Sequence, residues 1–301
     1  MMRETPLARR GATGSPWMAY AFLLPAVAVY LTFVVGPILI SMYYSLFEWS
    51  GVSRSGTFVG LKNFGRLLND QVFWKAVGNN IRLVIGSLIT QIPIAIGLAL
   101  LLARGLRGMR FLRAVYFLPH MIPTVAIGIL WIFMYDPNMG LINDLLFRIG
   151  LRGWARGWLG DEGLALYSVI VTIGWQFIPF YMILFQAALV GIPQELYEAA
   201  AIDGATGSRA FRHVTLPLLG GTIRTAVVLS LVGSLKYFDL IYIMTEGGPN
   251  HASELMATHM FKTAFKQFQM GYGSSVAVAS FLIAFVVSGA LLYATQFRRE
   301  E

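Results

Sequence analysis

The sequence predicts an all-α integral membrane protein with six membrane-crossing helices, both chain ends on one side, and a short polar helix outside the lipid between the fourth and fifth crossings. Three observations carry this. The chain of 301 residues is 56% hydrophobic and only 13% charged, about half the charged fraction of an average soluble domain. Its uncharged runs are long enough for a hydrocarbon core of about 30 Å, which takes about 20 helical residues to cross. Its basic residues gather at the ends of those runs, as topology signals do, so the net charge of +8 does not describe a phosphate-binding stripe and nucleic acid is not an expected partner.

Residues 1–16 are polar, with Arg3, Arg9 and Arg10, and are expected as a tail. No charge follows until Glu48, which places the first span at 17–45. It is expected to remain uncleaved, because the run is too long for a secretory signal and lacks a small-residue cleavage site. Between Glu48 and Lys75, Leu61, Phe64, Leu68 and Val72 recur at near-helical spacing, which predicts a short amphipathic helix at the membrane interface. The second span, 80–103, ends at a basic turn holding Arg104, Arg107, Arg110 and Arg113. The third, 114–135, is broken by Pro119 and Pro123 around His120. Residues 136–162 are polar and rich in Gly and Trp, with an amphipathic piece near Leu141 to Leu151. The fourth span falls at 164–190, the fifth at 222–244 and the sixth at 274–296, leaving 298–301 as a tail. The turn arginines, Arg3, Arg9 and Arg10, Arg209, Arg212 and Arg224, and Arg298 with Arg299 all fall on one side. The positive-inside rule therefore puts both termini, and the loop 193–217, in the cytoplasm.

That loop reads as two short helices. Pro193 suits a first helical position, Glu195 and Glu198 lie near the positive end of the macrodipole, and Ala199, Ala200 and Ala201 are strong helix formers. Gly204 and Gly207 can end the helix in the left-handed region. Ser208 is expected to cap a second helix that carries Arg209, Phe211 and Arg212 and stops near Pro217. Such a polar knob beside a membrane is suited to docking a soluble partner.

No catalytic constellation is present in the sequence. There is no Gly-Lys dipeptide and hence no phosphate-binding loop of the GxxxxGK[ST] form; His120, His213, His251 and His259 stand outside any HExxH frame; and cysteine is absent. No catalytic residue, metal ligand or cofactor is therefore assigned to this chain, and it is not expected to be an enzyme. Energy for active transport would have to come from another chain or from an ion gradient. Lys236 and Asp239 are the ionisable pair inside a span, three residues apart on one predicted helical face. They read either as groups lining a pathway or as an ion pair that locks two helices.

Three motifs carry a family resemblance. Glu198-Ala199-Ala200, Asp203-Gly204-Ala205, then Phe211, Val214, Leu216 and Pro217 resemble the EAA loop of permease subunits in binding-protein-dependent ABC importers, although Gly221 stands where a second proline would be expected. Val59-Gly60-Leu61-Lys62-Asn63-Phe64, followed by Phe73-Trp74 and Asn79-Asn80, resembles the first outer loop of the carbohydrate-type permeases. So does Phe238-Asp239-Leu240-Ile241-Tyr242 with Thr245 to Pro249. Residues 17–297 thus resemble a subunit of the branch that includes maltose and glycerol-3-phosphate systems. The resemblance implies a MetI-like permease fold in the cell inner membrane. It implies an ATPase-coupling set of Glu195, Glu198, Ala199, Ala200, Asp203, Gly204, Phe211, Leu216 and Pro217. The implied partners are a second, homologous permease, a dimer of cytoplasmic ATPases that holds the ATP and Mg, and an extracytoplasmic solute-binding protein. The cargo would be sugar-like, and Trp175, Gln176, Tyr181, Lys236, Tyr237, Asp239 and Tyr242 are candidates for its path. Two other readings stay open: an ABC permease for a non-sugar solute such as a peptide, amino acid or phosphate, and an ion-coupled secondary transporter using Lys236 and Asp239.

Overall fold

The structure, a computed structural model, describes residues 16–103 and 108–296. The expected tails with Arg3, Arg9, Arg10, Arg298 and Arg299, and the turn residues Arg104 and Arg107, lie outside the described residues. Among the described residues the regular structure is helical apart from one two-stranded hairpin. First come α1 (Pro16–Tyr30) and α2 (Gly36–Tyr44), joined by a π turn at Leu31–Val35. The antiparallel strands β1 (Phe47–Glu48) and β2 (Thr57–Phe58) lead to α3 (Lys62–Leu68) and then to α4 (Gln71–Ala103). Next are α5 (Met109–Met121), α6 (Thr124–Met134), α7 (Leu141–Arg148) and α8 (Ala165–Val190). The short helices α9 (Gln194–Ile202), α10 (Ser208–Ala210) and α11 (Leu216–Leu218) precede α12 (Gly220–Leu235). The chain closes with α13 (Asp239–Met244), α14 (Met256–Phe261) and α15 (Met270–Gln296).

Among the described residues four stretches are long and apolar enough to cross a membrane: Tyr20–Tyr44, Gln71–Ala103, Ala165–Val190 and Met270–Tyr293. Two more pass only as bent pairs, Phe111–Met121 with Thr124–Met134 at 97° and Ser208–Leu218 with Gly220–Leu235 at 65°. The bend in the first pair has a local cause. Pro123 forces Ile122 out of the helical region, to ψ 134°, and starts α6 as its N-cap. Burial decides which helix is central. The apolar window of α8 is 61% buried and that of α1–α2 is 0% buried, so α8 is the pillar and α1–α2 lies on the periphery of the chain.

Two core clusters stack along α8. One joins Leu83, Ile127, Leu166, Val169, Leu240 and Leu255; the other joins Ile92, Ala99, Leu102, Met182, Phe185 and Leu219. The first lies toward the loops 45–70 and 245–270, which meet where the Gly271 N–H donates to the Trp49 carbonyl. The second lies toward α9–α11, with Phe211 packed against it. The molecule therefore has a looped end and a knobbed end.

The interfacial helix between Glu48 and Lys75 forms as α3, but its inward face differs from the expected stripe. Asn63 and Leu67 are buried, while Leu61 and Leu68 are exposed, because the Asn63 side chain donates to the carbonyls of Ser45 and Phe47 and draws that face inward.

Candidate functional site

At the knobbed end, α9 has no buried residue. Pro193 is the N-cap of α9, one position earlier than expected, and leaves the helix to begin at Gln194. The far end closes as a Schellman motif: Gly204 takes φ 76°, its N–H donates to the Ala201 carbonyl at 3.0 Å, and the Ala205 N–H donates to Ala200 at 2.7 Å. Gly207 also has positive φ. Ser208 does not cap the next helix; Gly207 occupies the cap without a side-chain bond and Ser208 is the first helical residue. That helix continues through a π turn at Phe211–Thr215 and ends at Leu218, one residue after Pro217, near the expected stop.

Glu195, Glu198, Ala199 and Asp203 are exposed, Ala200 and Phe211 are half-buried, and Leu216 and Pro217 are exposed. Among the described residues none of those three carboxylates is in an ion pair. Ile202 is 87% exposed and Leu196 joins it on the surface. One polar contact ties α9 to the following helix: Tyr197 OH and Thr215 Oγ1 lie 3.0 Å apart. Ile202, Tyr197 and Thr215 were not marked by the sequence pattern. Their roles come from exposure and from a contact across 18 residues.

A half-open cavity of about 220 Å³ lies between α4, α5, α8 and α12. Gln91, His120, Phe177, Phe180, Tyr181, Ser230 and Tyr237 line most of it. Its walls are aromatic: His120 and Phe180 have ring centroids 5.5 Å apart, and Phe177 meets Tyr237 edge-on at 6.2 Å. The Tyr237 hydroxyl is buried without a hydrogen-bond partner. Of the candidates for a substrate path, Tyr181 and Tyr237 line this space. Gln176 sits behind it: its Nε2 donates to Thr124 Oγ1 at 3.1 Å, its carbonyl contacts His120 Nδ1, and its Oε1 is unpartnered. Trp175 instead packs edge-on against Trp131, and Tyr242 stacks on Phe238 beside Phe261. Gln91, His120 and Ser230 are lining residues that composition alone could not single out.

Lys236 and Asp239 do not share a helical face. Lys236 is the C-cap of α12 and Asp239 the first residue of α13, so the fifth span expected at 222–244 is interrupted at 236–238. Among the described residues the two form no ion pair, both are exposed, and neither lines the cavity. The reading of a self-neutralised pair is thereby removed.

The looped end contains the densest polar network in the described residues. Glu254, fully buried, accepts from Lys262 Nζ and from His251 Nδ1, the latter at 2.9 Å. The Asn79 amide donates to the Glu254 carbonyl, and Asn80 bridges the Ser234 and Leu235 carbonyls to the Met256 N–H. Gly247, with φ 83°, lies so close that a Cβ there would stand 2.6 Å from Glu254 Oε2. Beside it, Asp70 accepts from Tyr272 OH and pairs with His259 Nε2 at 3.1 Å. Burial alone would raise the Asp70 pKa, but the bonds from Tyr272, the Phe73 N–H and His259 outweigh it and hold the carboxyl below its ordinary range. Burial lowers the pKa of His259 despite the attraction of Asp70.

Residues 63–300 match the family described as the binding-protein-dependent transport system inner membrane component, and the chain belongs to that family, whose members are membrane transport subunits. It is 40% identical to the probable ABC transporter permease protein YurN of Bacillus subtilis (strain 168), covering 89% of this chain and 92% of that one. It is 31% identical to the trehalose/maltose transport system permease protein MalF of Thermococcus litoralis, over 94% of this chain and 95% of that one. The fold superposes with TM-score 0.80 on a chain of a bacterial ABC transporter involved in the import of the acidic polysaccharide alginate, with 23% identity, 93% of this chain and 95% of that one. The architecture is thus the MetI-like permease fold.

Proposed function

We propose that this chain is the permease subunit through which a sugar or sugar derivative crosses the membrane in an ATP-driven importer. The chain crosses six times, with each bent pair counted as one broken span, and keeps both termini and the α9 knob in the cytoplasm. A second permease completes the path, an extracytoplasmic binding protein delivers the solute to the looped end, and a dimer of cytoplasmic ATPases carries the nucleotide and Mg. This chain itself holds no ATPase site.

The observation that carries this reading is α9 itself. A helix that buries nothing of its own, yet is stopped by a Schellman turn and pinned by Tyr197 to Thr215, presents a rigid lever to something outside the chain. Glu195, Glu198 and Asp203 offer unpaired acceptors, Ala199 and Ala200 allow close approach, and Ile202 supplies exposed apolar area. Thr215 lies in the helix that turns into α12, and α12 lines the inner cavity. Movement of the knob is therefore transmitted to the wall that holds Ser230 and Tyr237. The sugar assignment is supported by the named uptake of the MalF relative and by an aromatic cavity with free hydroxyl-bonding groups, which suits a ring with apolar faces and polar edges. Lys236 and Asp239, exposed and unpaired with each other, offer no built coupling site for an ion-driven rival.

Ile202→Asp tests the reading. The side chain touches no core, so insertion and melting temperature should match the wild type while solute uptake collapses and the ATPase no longer co-purifies. Uptake at the wild-type rate would remove the coupling role from α9.

A further inference from the structure

At the looped end the surface is indented by a recess of about 470 Å³ that shares no lining residue with the inner cavity. Its walls come from β1, α3 and the start of α15, and include Glu48, Trp49, Lys62, Arg66, Phe268 and Gln269. The first apolar helix ends at Tyr44 and the last begins at Met270. The recess therefore sits where apolar spans give way to polar chain, which is the depth of lipid head groups. Phe268 in its lining is more than half exposed, as is Leu61, the neighbour in sequence of the lining residue Lys62.

The polar groups inside are incompletely matched by the protein. Lys62 Nζ is 3.2 Å from Glu48, and one helical turn further on the Arg66 guanidinium lies 3.9 Å over the Tyr272 ring. Among the described residues no carboxylate stands within ion-pair distance of Arg66 and no acceptor takes its N–H groups. On the opposite wall Gln269 Oε1 is buried with no donor. The pocket thus has spare cationic donors on one side, a spare acceptor on the other and an apolar rim.

We propose that this recess holds the phosphate head group of a glycerophospholipid from the leaflet opposite α9. The Arg66 fork, braced on Tyr272, takes two phosphate oxygens and Lys62 adds a second positive charge. Gln269 Oε1 and Glu48 accept from the ammonium or hydroxyl beyond the phosphate, while Phe268 and Leu61 lie along the acyl chains. A sugar in transit fits less well, because the recess shares no wall with the inner cavity and its rim is apolar. The lipid would brace the start of α15 against α3, a role that does not depend on which solute is carried.

The transporter, extracted with its partner subunits, is examined by native mass spectrometry beside a Lys62→Gln/Arg66→Gln double variant, with assembly of the intact complex as the check on folding. The wild type should retain one phospholipid that the double variant holds about tenfold less, and Arg66→Lys should fall between them. Equal retention in wild type and variant, or no retained lipid, overturns the proposal. Should the double variant fail to assemble, the delipidated wild type decides. Its melting temperature should rise with added phosphatidylethanolamine or phosphatidylglycerol and not with a diglucosyl diacylglycerol of the same chains; an equal rise with the phosphate-free lipid, or a rise with maltotriose alone, overturns it. Gln269→Ala separates the two head groups, since loss of the acceptor should weaken phosphatidylethanolamine more than phosphatidylglycerol.

Discussion

The two ends of this bundle are built on opposite principles. At the looped end, polar side chains are buried and cross-linked: Glu254 is fully enclosed, and Asn79, Asn80, Asp70, His259 and Tyr272 tie together segments far apart in the chain. At the knobbed end, α9 buries no side chain and a single hydroxyl pair fastens it to its neighbour. A network of enclosed charges is costly to disturb, whereas an exposed helix ended by a glycine turn can be gripped and moved as a unit. On the proposed function the difference assigns the roles: the looped end would serve as the fixed frame, and the knob as the handle that shifts α12 against it.

The largest break in that comparison comes from the frame. Glu254→Ala leaves Lys262 and His251 without their buried partner, and should lower stability by about 2 kcal/mol, less than for a fully enclosed pair because both side chains keep solvent contact. Thermal melting in nanodiscs reads this; a melting temperature equal to wild type would show that the network does not hold the looped end. At the knob, Tyr197→Phe removes one hydroxyl contact and should cost about 1 kcal/mol. Its signature is faster hydrogen exchange confined to α9–α11, while the exchange of α14 stays unchanged. Slowed exchange, or an effect spread to the looped end, would contradict the division.

The smallest effect is a pH slope. Because the folded pKa of His259 is depressed, its contribution is complete above the unfolded value of about 6.5 and declines as pH falls below it. Asp70, also depressed, holds its contribution until pH falls below about 4. Melting temperature should therefore drop modestly between pH about 7.5 and about 5.5, and His259→Gln should flatten that slope. A slope that survives the substitution would assign it to another group.

What could be read from the sequence was local. Uncharged runs revealed the long helices because hydropathy needs only neighbours, and Gly204 announced the end of α9 because left-handed backbone is a one-residue requirement. Pro119 and Pro123 pointed to the broken pair, though only the structure gives its 97° angle. The break at Lys236 to Phe238 was hidden, since an aromatic run between two apolar helices looks continuous. The Asp70 contacts with His259 and Tyr272 span 189 and 202 residues, a separation at which spacing carries no signal. The inner cavity was half visible: Tyr181 and Tyr237 were flagged as aromatics in a span, while Gln91, His120 and Ser230 became distinct only when four helices brought them to one space.

The central claim is that a nucleotide-driven neighbour grips α9. The chain lacks cysteine, so Ile202→Cys introduces a unique thiol on the exposed face of the helix, and Val52→Cys provides an exposed control in the β1–β2 hairpin at the looped end. Labelling the thiol in membranes with a short maleimide-benzophenone, whose ketone inserts into neighbouring C–H bonds on illumination, should join the Ile202→Cys chain to the ATPase and leave the Val52→Cys chain unlinked to it. No ATPase adduct from Ile202→Cys in an assembled, transporting complex, or an adduct from Val52→Cys instead, would contradict the account.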